Sequence, residues 1–435
     1  IIDYFLTLAS TMKVITELLA VFAAAEMVSG GGCNPEYHER QAQDANQQRL
    51  SDPGVGKVAN LTLLPQDNGN MSPAALDGSP YAFYFSPSKS GSTKWSFTIR
   101  GGGWCYDEVD CACRANTSLG SSTQYSPKGS CMCVNVADSG TGYDGDCNCV
   151  ELNYLDGASF SGYRADPVSI PNSTQKVYMR GIKNLDGVID FAMANGMTKA
   201  TQFVVNGGSA GGLSTFLHAD RIAARIKAEA PNCDTVRALP IVGYFLDHDN
   251  FHHTTGFPGG PNSPQWAHPG TGANYTMWMK YIYTMQNLTF GADGGLTEAC
   301  QHKHTDEPHL CFMSPHMQDV IQTPFFMLNS KYDAWQLGNE FQSSWSTKAE
   351  QEGVLQYGLD FMKQVAPVYM GGETKNGGMI TSCICHGCPW EALVLEGKNT
   401  DDHYFDWFVG KTTGADSFHI DPRLPNGGGA LNGTT

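Results

Sequence analysis

Three residues far apart in the chain have the types and setting for nucleophilic acyl transfer. Ser209 stands in "VVNGGSAGGLST" (Val204 to Thr215), where a short apolar run meets paired glycines and then a helical pattern. Residues 207 to 211 fit G-x-S-x-G, the spacing of a strand-to-helix corner that lifts a hydroxyl clear of the backbone. The helix that follows would aim its free N–H groups at the site, which suits a developing oxyanion. A Gly-rich turn closing a strand–helix connection would read the same way without chemistry.

A serine hydroxyl is a weak nucleophile until a base takes its proton, so a histidine and a carboxylate are required. In open α/β sheets carrying such a corner, the chain order is serine, then acid, then histidine. "FFMLNSKYDAWQL" places Asp333 just after an apolar strand, and "SCICHGCPW" places His386 later still, among cysteines. Asp333 would equally serve as the N-cap of a helix starting near Ala334. His386 would equally be a surface histidine or a metal ligand beside Cys385, and thirteen histidines are present to choose from. A further piece is "RGGGWCYD" (Arg100 to Asp107), directly after the strand-like "KWSFTI". Such a turn commonly donates backbone N–H groups to an oxyanion. Gly103 and Trp104 would donate from this loop and Ala210 from the corner.

The elements that must position these residues follow from pattern. "PYAFYFS", "KWSFTIR", "CVELNY", "KVYMR", "TQFVVN", "LPIVGYFL" and "TPFFMLN" are rich in β-branched and aromatic residues and predict strands. "IKNLDGVIDFAMANG", "LSTFLHADRIAARIKAEA" and "KAEQEGVLQYGLDFMKQV" carry apolar residues at i, i+3, i+4 and predict helices. Their alternation implies an α/β fold, a mainly parallel sheet covered by helices. Between Tyr106 and Cys149 the regular spacing breaks, which predicts a cross-linked excursion beside the site.

Composition bounds the rest. The chain has 435 residues, 41% hydrophobic and 16% charged, with net charge −16 and no basic run. This is a globular composition, and its sign disfavours a nucleic-acid partner. Fourteen cysteines include three C-x-C pairs, at Cys111/Cys113, Cys131/Cys133 and Cys147/Cys149, and the cluster Cys383, Cys385 and Cys388. Zinc would be the alternative in a reducing compartment. Disulfides are favoured by the even cysteine count, a leader-like N-terminus and sequons at Asn60, Asn70, Asn116, Asn172, Asn274, Asn287 and Asn432. Their connectivity is open.

Residues 1–32 are expected to be an extension and signal peptide, built on Met12–Lys13, an apolar stretch interrupted by Glu17, and Ala23 to Ala25. Residues 33–410 are expected to form one domain and 411–435 a flexible tail. No later segment has about 18 unbroken apolar residues, so no further membrane span is expected.

The chain resembles the pectin acetylesterase/Notum family of secreted serine esterases, with the plant pectin acetylesterases closer. The resemblance runs from "ALDGSPYAFYFSPS" (Ala75 to Ser88) to "DWFVG" (Asp406 to Gly410). It passes through "GGGWC", "RANTSLGSS", "GMTKATQFVVNGGSAGGLSTFLHAD", "NSKYDAWQL" and "SCICH". It implies an α/β-hydrolase-like fold with disulfide-rich insertions, no cofactor and no metal. It also implies Ser209, Asp333 and His386 as nucleophile, acid and base, with oxyanion donors at Gly103, Trp104 and Ala210.

The expected activity is hydrolysis of an acetyl ester on an extracellular or cell-wall polysaccharide, by a secreted monomer. The alternatives are a Notum-like protein fatty-acyl deacylase and an inactive secreted binding protein. Three departures stand out. Arg100 replaces an acidic residue before the glycine turn, Ala75 replaces a cysteine, and "CHGCP" adds a cysteine beside His386. Cys300 and Cys311 keep a family-like spacing and would close the loop of His302, His304 and His309, a solvated loop rather than a metal site. The segment Asp247 to Gly270, poor in Leu, Ile and Val, suits a polar cleft better than a long apolar one.

Overall fold

The computed structural model describes residues 57–67, 69, 72–134, 146–170, 173–253, 274–343, 345–370 and 374–425. The leader-like segment, three of the sequons (Asn70, Asn172 and Asn432) and residues 254–270 of the polar segment lie outside the described residues.

Fourteen strands are described. In chain order they are β1 (Lys57–Leu63), β2 (Ala82–Ser86), β3 (Lys94–Ile99), β4 (Lys128–Cys131), β5 (Asn148–Leu152), β6 (Val168–Ser169) and β7 (Lys176–Val177). Then come β8 (Gln202–Gly208), β9 (Thr235–Ile241), β10 (Phe326–Ser330), β11 (Gly377–Thr381), β12 (Val394–Leu395), β13 (Lys398–Asn399) and β14 (Phe418–Ile420). Ten of them form one sheet in the order β14-β11-β10-β9-β8-β3-β5-β2-β1-β4. From β14 to β5 every pairing is parallel, while β2, β1 and β4 close the other edge antiparallel. This is an α/β-hydrolase-like architecture.

The central strands read as unbroken apolar runs because both faces are covered. β3 is buried from Trp95 to Ile99, β8 from Gln202 to Gly207, and β10 throughout. The helix Gly181–Ala194 turns Ile182, Leu185, Val188, Ile189 and Met193 inward, the i, i+3, i+4 stripe of a helix packed on a sheet. The helix Ala210–Glu229 follows β8 directly and packs against β8 and β9.

Parallel strands all end on the same side of a sheet. The loops after β3, β8, β10 and β11 therefore meet at one crevice, outside the carboxyl ends of the strands. These loops carry Gly103 and Trp104, Ser209, Asp333 and His386 in turn.

Several boundaries differ from the sequence reading. The strand expected over "LPIVGYFL" starts earlier, at Thr235, and stops at Ile241. Val242 then takes a φ of +43°, and the Tyr244 N–H leaves the ladder for Asn329 Oδ1. Of "KVYMR" only Lys176–Val177 is strand. β11 was not foreseen, because Gly377 and Gly378 are poor strand formers. They are needed for packing: a Cβ at Gly377 would sit 2.7 Å from the Phe326 ring and 2.8 Å from Trp407.

The expected flexible tail from Lys411 is corrected over residues 411–425. Residues 414–417 form a 3-10 turn, and β14 pairs with β11 through Phe418, His419 and Ile420. Asp421 beyond it accepts from Ser382 Oγ at 2.6 Å. Tail composition hid a three-residue edge strand, too short to show a period.

The Tyr106–Cys149 excursion is cross-linked, by Cys105–Cys111, Cys131–Cys149 and Cys133–Cys147. Only the first lies beside the site. The other two brace the far edge, where β4 pairs with β1. Cys300–Cys311 and Cys385–Cys388 are also bonded, as is Cys113, while Cys233 and Cys383 are free thiols. Arg100 forms a largely buried ion pair with Glu151 on β5. Among the described residues, no helix is long and apolar enough to cross a membrane.

Candidate active site

Ser209 stands between β8 and the helix Ala210–Glu229, at φ +59° and ψ −128°. A side chain rarely adopts this region, so the surroundings must hold it there. Two contacts do: the Ser209 N–H donates to Ile241 O at 3.0 Å, and the Ser209 carbonyl accepts from Leu213 N–H at 3.0 Å. Gly211 lets the helix start this close to the sheet, since a Cβ there would overlap the carbonyl oxygen of Ile99.

His386 lies 177 residues further along the chain, yet its Nε2 is 2.8 Å from Ser209 Oγ. Its Nδ1 is 2.8 Å from Asp333 Oδ2. A carboxylate only accepts, so Nδ1 carries the proton and Nε2 is left to accept the Ser209 O–H. The imidazole sits in the four-residue loop closed by Cys385–Cys388. The Asp333 side chain is fully buried. Its other oxygen, Oδ1, accepts from Gln336 N–H at 3.0 Å and caps the helix Ala334–Asn339. One oxygen thus caps the helix and the other meets His386. An oriented imidazole between a buried carboxylate and a serine hydroxyl can take the hydroxyl proton as the oxygen attacks.

The loop after β3 packs on the corner, with Gly103 at φ +62°. A Cβ at Gly101 would come within 2.8 Å of Ser209 Cβ and 3.2 Å of Ala210 N. Among the described residues, the N–H groups of Gly103, Trp104 and Ala210 make no backbone hydrogen bond. An N–H group without a backbone partner beside a nucleophile is what a developing oxyanion needs.

Sequence reasoning missed what ties the loop after β3 to the corner. The Trp104 indole is fully buried, and its Nε1–H donates to Ser159 Oγ at 3.0 Å. Ser159 Oγ donates in turn to Ala210 O at 3.0 Å. Ser159 is held at φ +50° by a donation from its N–H to Tyr154 Oη. Its carbonyl meets His218 Nε2 at 2.9 Å. Burial holds the His218 imidazole neutral, well below its ordinary range, at about 3.

A second omission is an aromatic wall. Phe245 and Trp335 both lie 6.3 Å from the His386 ring, centroid to centroid. Trp104 meets Phe245 at 5.0 Å and Trp335 at 5.6 Å, and Tyr275 packs against all three. Trp335, two residues past Asp333 in "KYDAWQL", was the available signal.

Of the four described sequons, Asn60, Asn116 and Asn287 are exposed. Asn274 is buried, capping the helix Tyr275–Met285 and donating to Asp249 Oδ1.

Comparison with known proteins follows the same line. The family Pectinacetylesterase matches residues 56–263 and 266–421. Pectin acetylesterase 11 of Arabidopsis thaliana is 28% identical over 380 residues, 80% of this chain and 88% of that protein. Pectin acetylesterase 4 of the same plant is 30% identical over 362 residues, covering 77% and 80%. The human palmitoleoyl-protein carboxylesterase NOTUM is 26% identical over 189 residues, 42% of this chain and 37% of that protein. With a family match spanning nearly all of the described sheet, the chain belongs to the Pectinacetylesterase family and is a carboxylic ester hydrolase.

Proposed function

We propose that the protein hydrolyses acetyl esters of an extracellular polysaccharide such as pectin, with Ser209 as nucleophile, His386 as base and Asp333 orienting the base. One observation carries the residue assignment: two 2.8 Å hydrogen bonds link a serine at a strained strand-to-helix corner, through one imidazole, to a buried carboxylate. As Ser209 Oγ bonds to the ester carbonyl carbon, His386 Nε2 takes its proton. The carbonyl oxygen becomes an oxyanion that accepts from Gly103, Trp104 and Ala210. The bond to the alcohol breaks, and the alcohol leaves with the proton from His386. Water then attacks the acyl-enzyme by the same route. Asp333 stabilises the imidazolium without taking its proton. No cofactor enters these steps.

The acetyl ester is supported by the plant relatives' names and by their coverage of most of this chain. Five described disulfides support passage through an oxidising, secretory compartment. A competing reading, a fatty-acyl protein deacylase, draws on the NOTUM similarity.

The test is acetate release from acetylated pectin, together with labelling by a serine-reactive fluorophosphonate. Ser209→Ala should keep its near-UV circular dichroism, lose labelling, and lose roughly 10⁴- to 10⁶-fold in kcat. A folded Ser209→Ala protein that kept more than about a tenth of the rate would refute the assignment.

A further inference from the structure

Away from the triad, three side chains from three different elements converge at the edge of the sheet. Glu396 occupies the two-residue turn between β12 and β13, with φ +50°, followed by Gly397 at φ +79°. His403 sits on the helix Thr400–Phe408, capped by Asn399, and His419 lies in the middle of β14. One nitrogen or carboxylate oxygen from each lies within 4.8 Å of the other two.

We propose that Glu396, His403 and His419 bind a single zinc ion. The imidazoles are 2% and 7% exposed, and their ring centroids are 3.5 Å apart. The Glu396 carboxylate, on a largely exposed side chain, reaches His419 Nδ1 at 2.7 Å.

The hydrogen bonds fix which nitrogens are available. His403 Nε2 lies 3.0 Å from the carbonyl oxygen of Leu395, which can only accept. Nε2 therefore carries the proton, and Nδ1 keeps its lone pair. A ligating imidazole that donates its other N–H to a backbone carbonyl is the usual outer-shell arrangement of a metal histidine. His419 Nε2 is buried and has no hydrogen-bond partner among the described residues. A buried imidazole edge without a partner is costly to leave so, and coordination at this residue would offset that cost.

Two imidazoles and one carboxylate form an N₂O set that suits Zn²⁺ rather than Mg²⁺ or Ca²⁺, which take oxygen ligands. The exposed Glu396 faces water, which gives the ion an entry path and a fourth, water ligand. Lys398, the nearest cation along the turn, is engaged by Asp406 at 2.6 Å and does not occupy the carboxylate. The ion would join the β12–β13 hairpin, the helix and β14. β14 pairs with β11, the strand that leads to the His386 loop, and Asp421 just beyond it holds Ser382. Zinc here would act on stability and not on the acyl-transfer steps.

The experiment uses the whole chain, stripped with a chelator, desalted and titrated with ZnCl₂. Bound metal is counted by elemental analysis, affinity is read by calorimetry, and the melting temperature is recorded with and without zinc. One zinc per chain and a melting temperature raised by zinc are expected. Glu396→Gln, on an exposed turn, should fold normally and weaken binding about tenfold or more. Glu396→Gln combined with His419→Gln should abolish it. Less than a tenth of a zinc per chain at micromolar free metal would overturn the site. So would one zinc bound with unchanged affinity by Glu396→Gln, which also decides the matter if the double variant fails to fold. Ser209→Ala should bind zinc as the wild type does, so the result is independent of the proposed triad.

Discussion

Asp333 binds His386 with one carboxylate oxygen and the following helix with the other. Oδ2 meets His386 Nδ1 at 2.8 Å while Oδ1 accepts from Gln336 N–H at 3.0 Å. Substitutions can separate the two duties. Asp333→Asn keeps an oxygen for the cap but puts an NH₂ or a neutral oxygen against His386, so the tautomer is no longer fixed. Its kcat should fall by roughly 10⁴, with a melting temperature close to wild type. Asp333→Ala should lose a similar rate and also about 1 kcal/mol of stability, the usual value of a cap. Kinetics and thermal melts on the two proteins check this. An Asn variant that keeps more than about a tenth of the rate would remove Asp333 from the catalytic group.

Ser159 joins the two sides of the proposed oxyanion hole, taking a hydrogen bond from Trp104 Nε1 and giving one to Ala210 O. Ser159→Ala leaves the indole N–H buried without an acceptor, at a cost of about 1–3 kcal/mol. Ala210 O keeps its donation from Ser214 Oγ, so the corner itself should survive. If the bridge positions the donors, kcat should fall about tenfold with little change in KM, because the donors act on the oxyanion and not on the bound ester. Lost stability with an unchanged kcat would make Ser159 a structural residue only.

Ser209, Asp333 and His386 were legible in the sequence because each lies beside a local signal. Ser209 has its glycine-flanked corner, Asp333 an apolar strand before it, and His386 a cysteine bracket. The sequence singled out Trp104 for its backbone N–H, while its indole bond to Ser159 was not legible. Ser159 precedes no strand or helix and carries no motif; its place is set by a positive φ and by partners 51 and 55 residues away. β11 was hidden for the opposite reason. Its glycines contradict strand propensity and make sense only against Phe326 and Trp407. The elements that could not be read are those fixed by tertiary contact rather than by local pattern.

The two shortest of the five described disulfide loops lie at the site. Cys105–Cys111 follows Trp104 directly, and Cys385–Cys388 encloses His386. Closing a four-residue loop contributes only about 2 kcal/mol by chain entropy, less than the roughly 3 kcal/mol of a 15-residue loop such as Cys133–Cys147. Replacing Cys385 and Cys388 by serine should therefore lower the melting temperature modestly and reduce kcat more, because the imidazole loses its fixed loop. Full reduction of the wild type should lower the melting temperature clearly. A double serine variant with unchanged kcat would show that the bracket does not position His386.

Stability should depend on pH through Asp156. This fully buried carboxyl holds the turn leading to Ser159, accepting from Ala158 and Phe160 N–H at 3.2 and 2.8 Å. Burial pushes its pKa up from 3.8 to about 6, against those hydrogen bonds and the Arg114 charge. The folded protein therefore holds a proton that the unfolded chain releases at lower pH. Its contribution is fully present below about pH 4 and is lost as pH rises to about 6, a change of roughly 2–3 kcal/mol. Asp156→Asn cannot ionise. The stability difference between wild type and variant, followed by urea melts from pH 4 to 7, should shift in the variant's favour across that window and level off above it. A difference that stays flat would mean Asp156 is ionised in the folded protein throughout.

The acyl group offers the sharpest division between the two substrate readings. An acetyl group needs a shallow pocket, whereas a fatty acyl chain gains about 0.8 kcal/mol for each CH₂ that finds apolar room. Beside His386, the described aromatic rings are packed against one another. Trp104, Phe245 and Tyr275 are each no more than 1% exposed, and they interlock with one another and with Trp335 at 5.0 to 6.4 Å. Methylenes directed at these rings would have to displace them, and forcing extra volume into a packed core typically costs about 1–3 kcal/mol. kcat/KM on a series of nitrophenyl esters should therefore be highest for acetate and propionate and fall beyond about C4. Phe245→Ala should shift the optimum towards longer chains by opening the wall. A wild-type rate that climbs steadily from acetate to octanoate would defeat the acetyl-ester assignment and favour the long-chain reading.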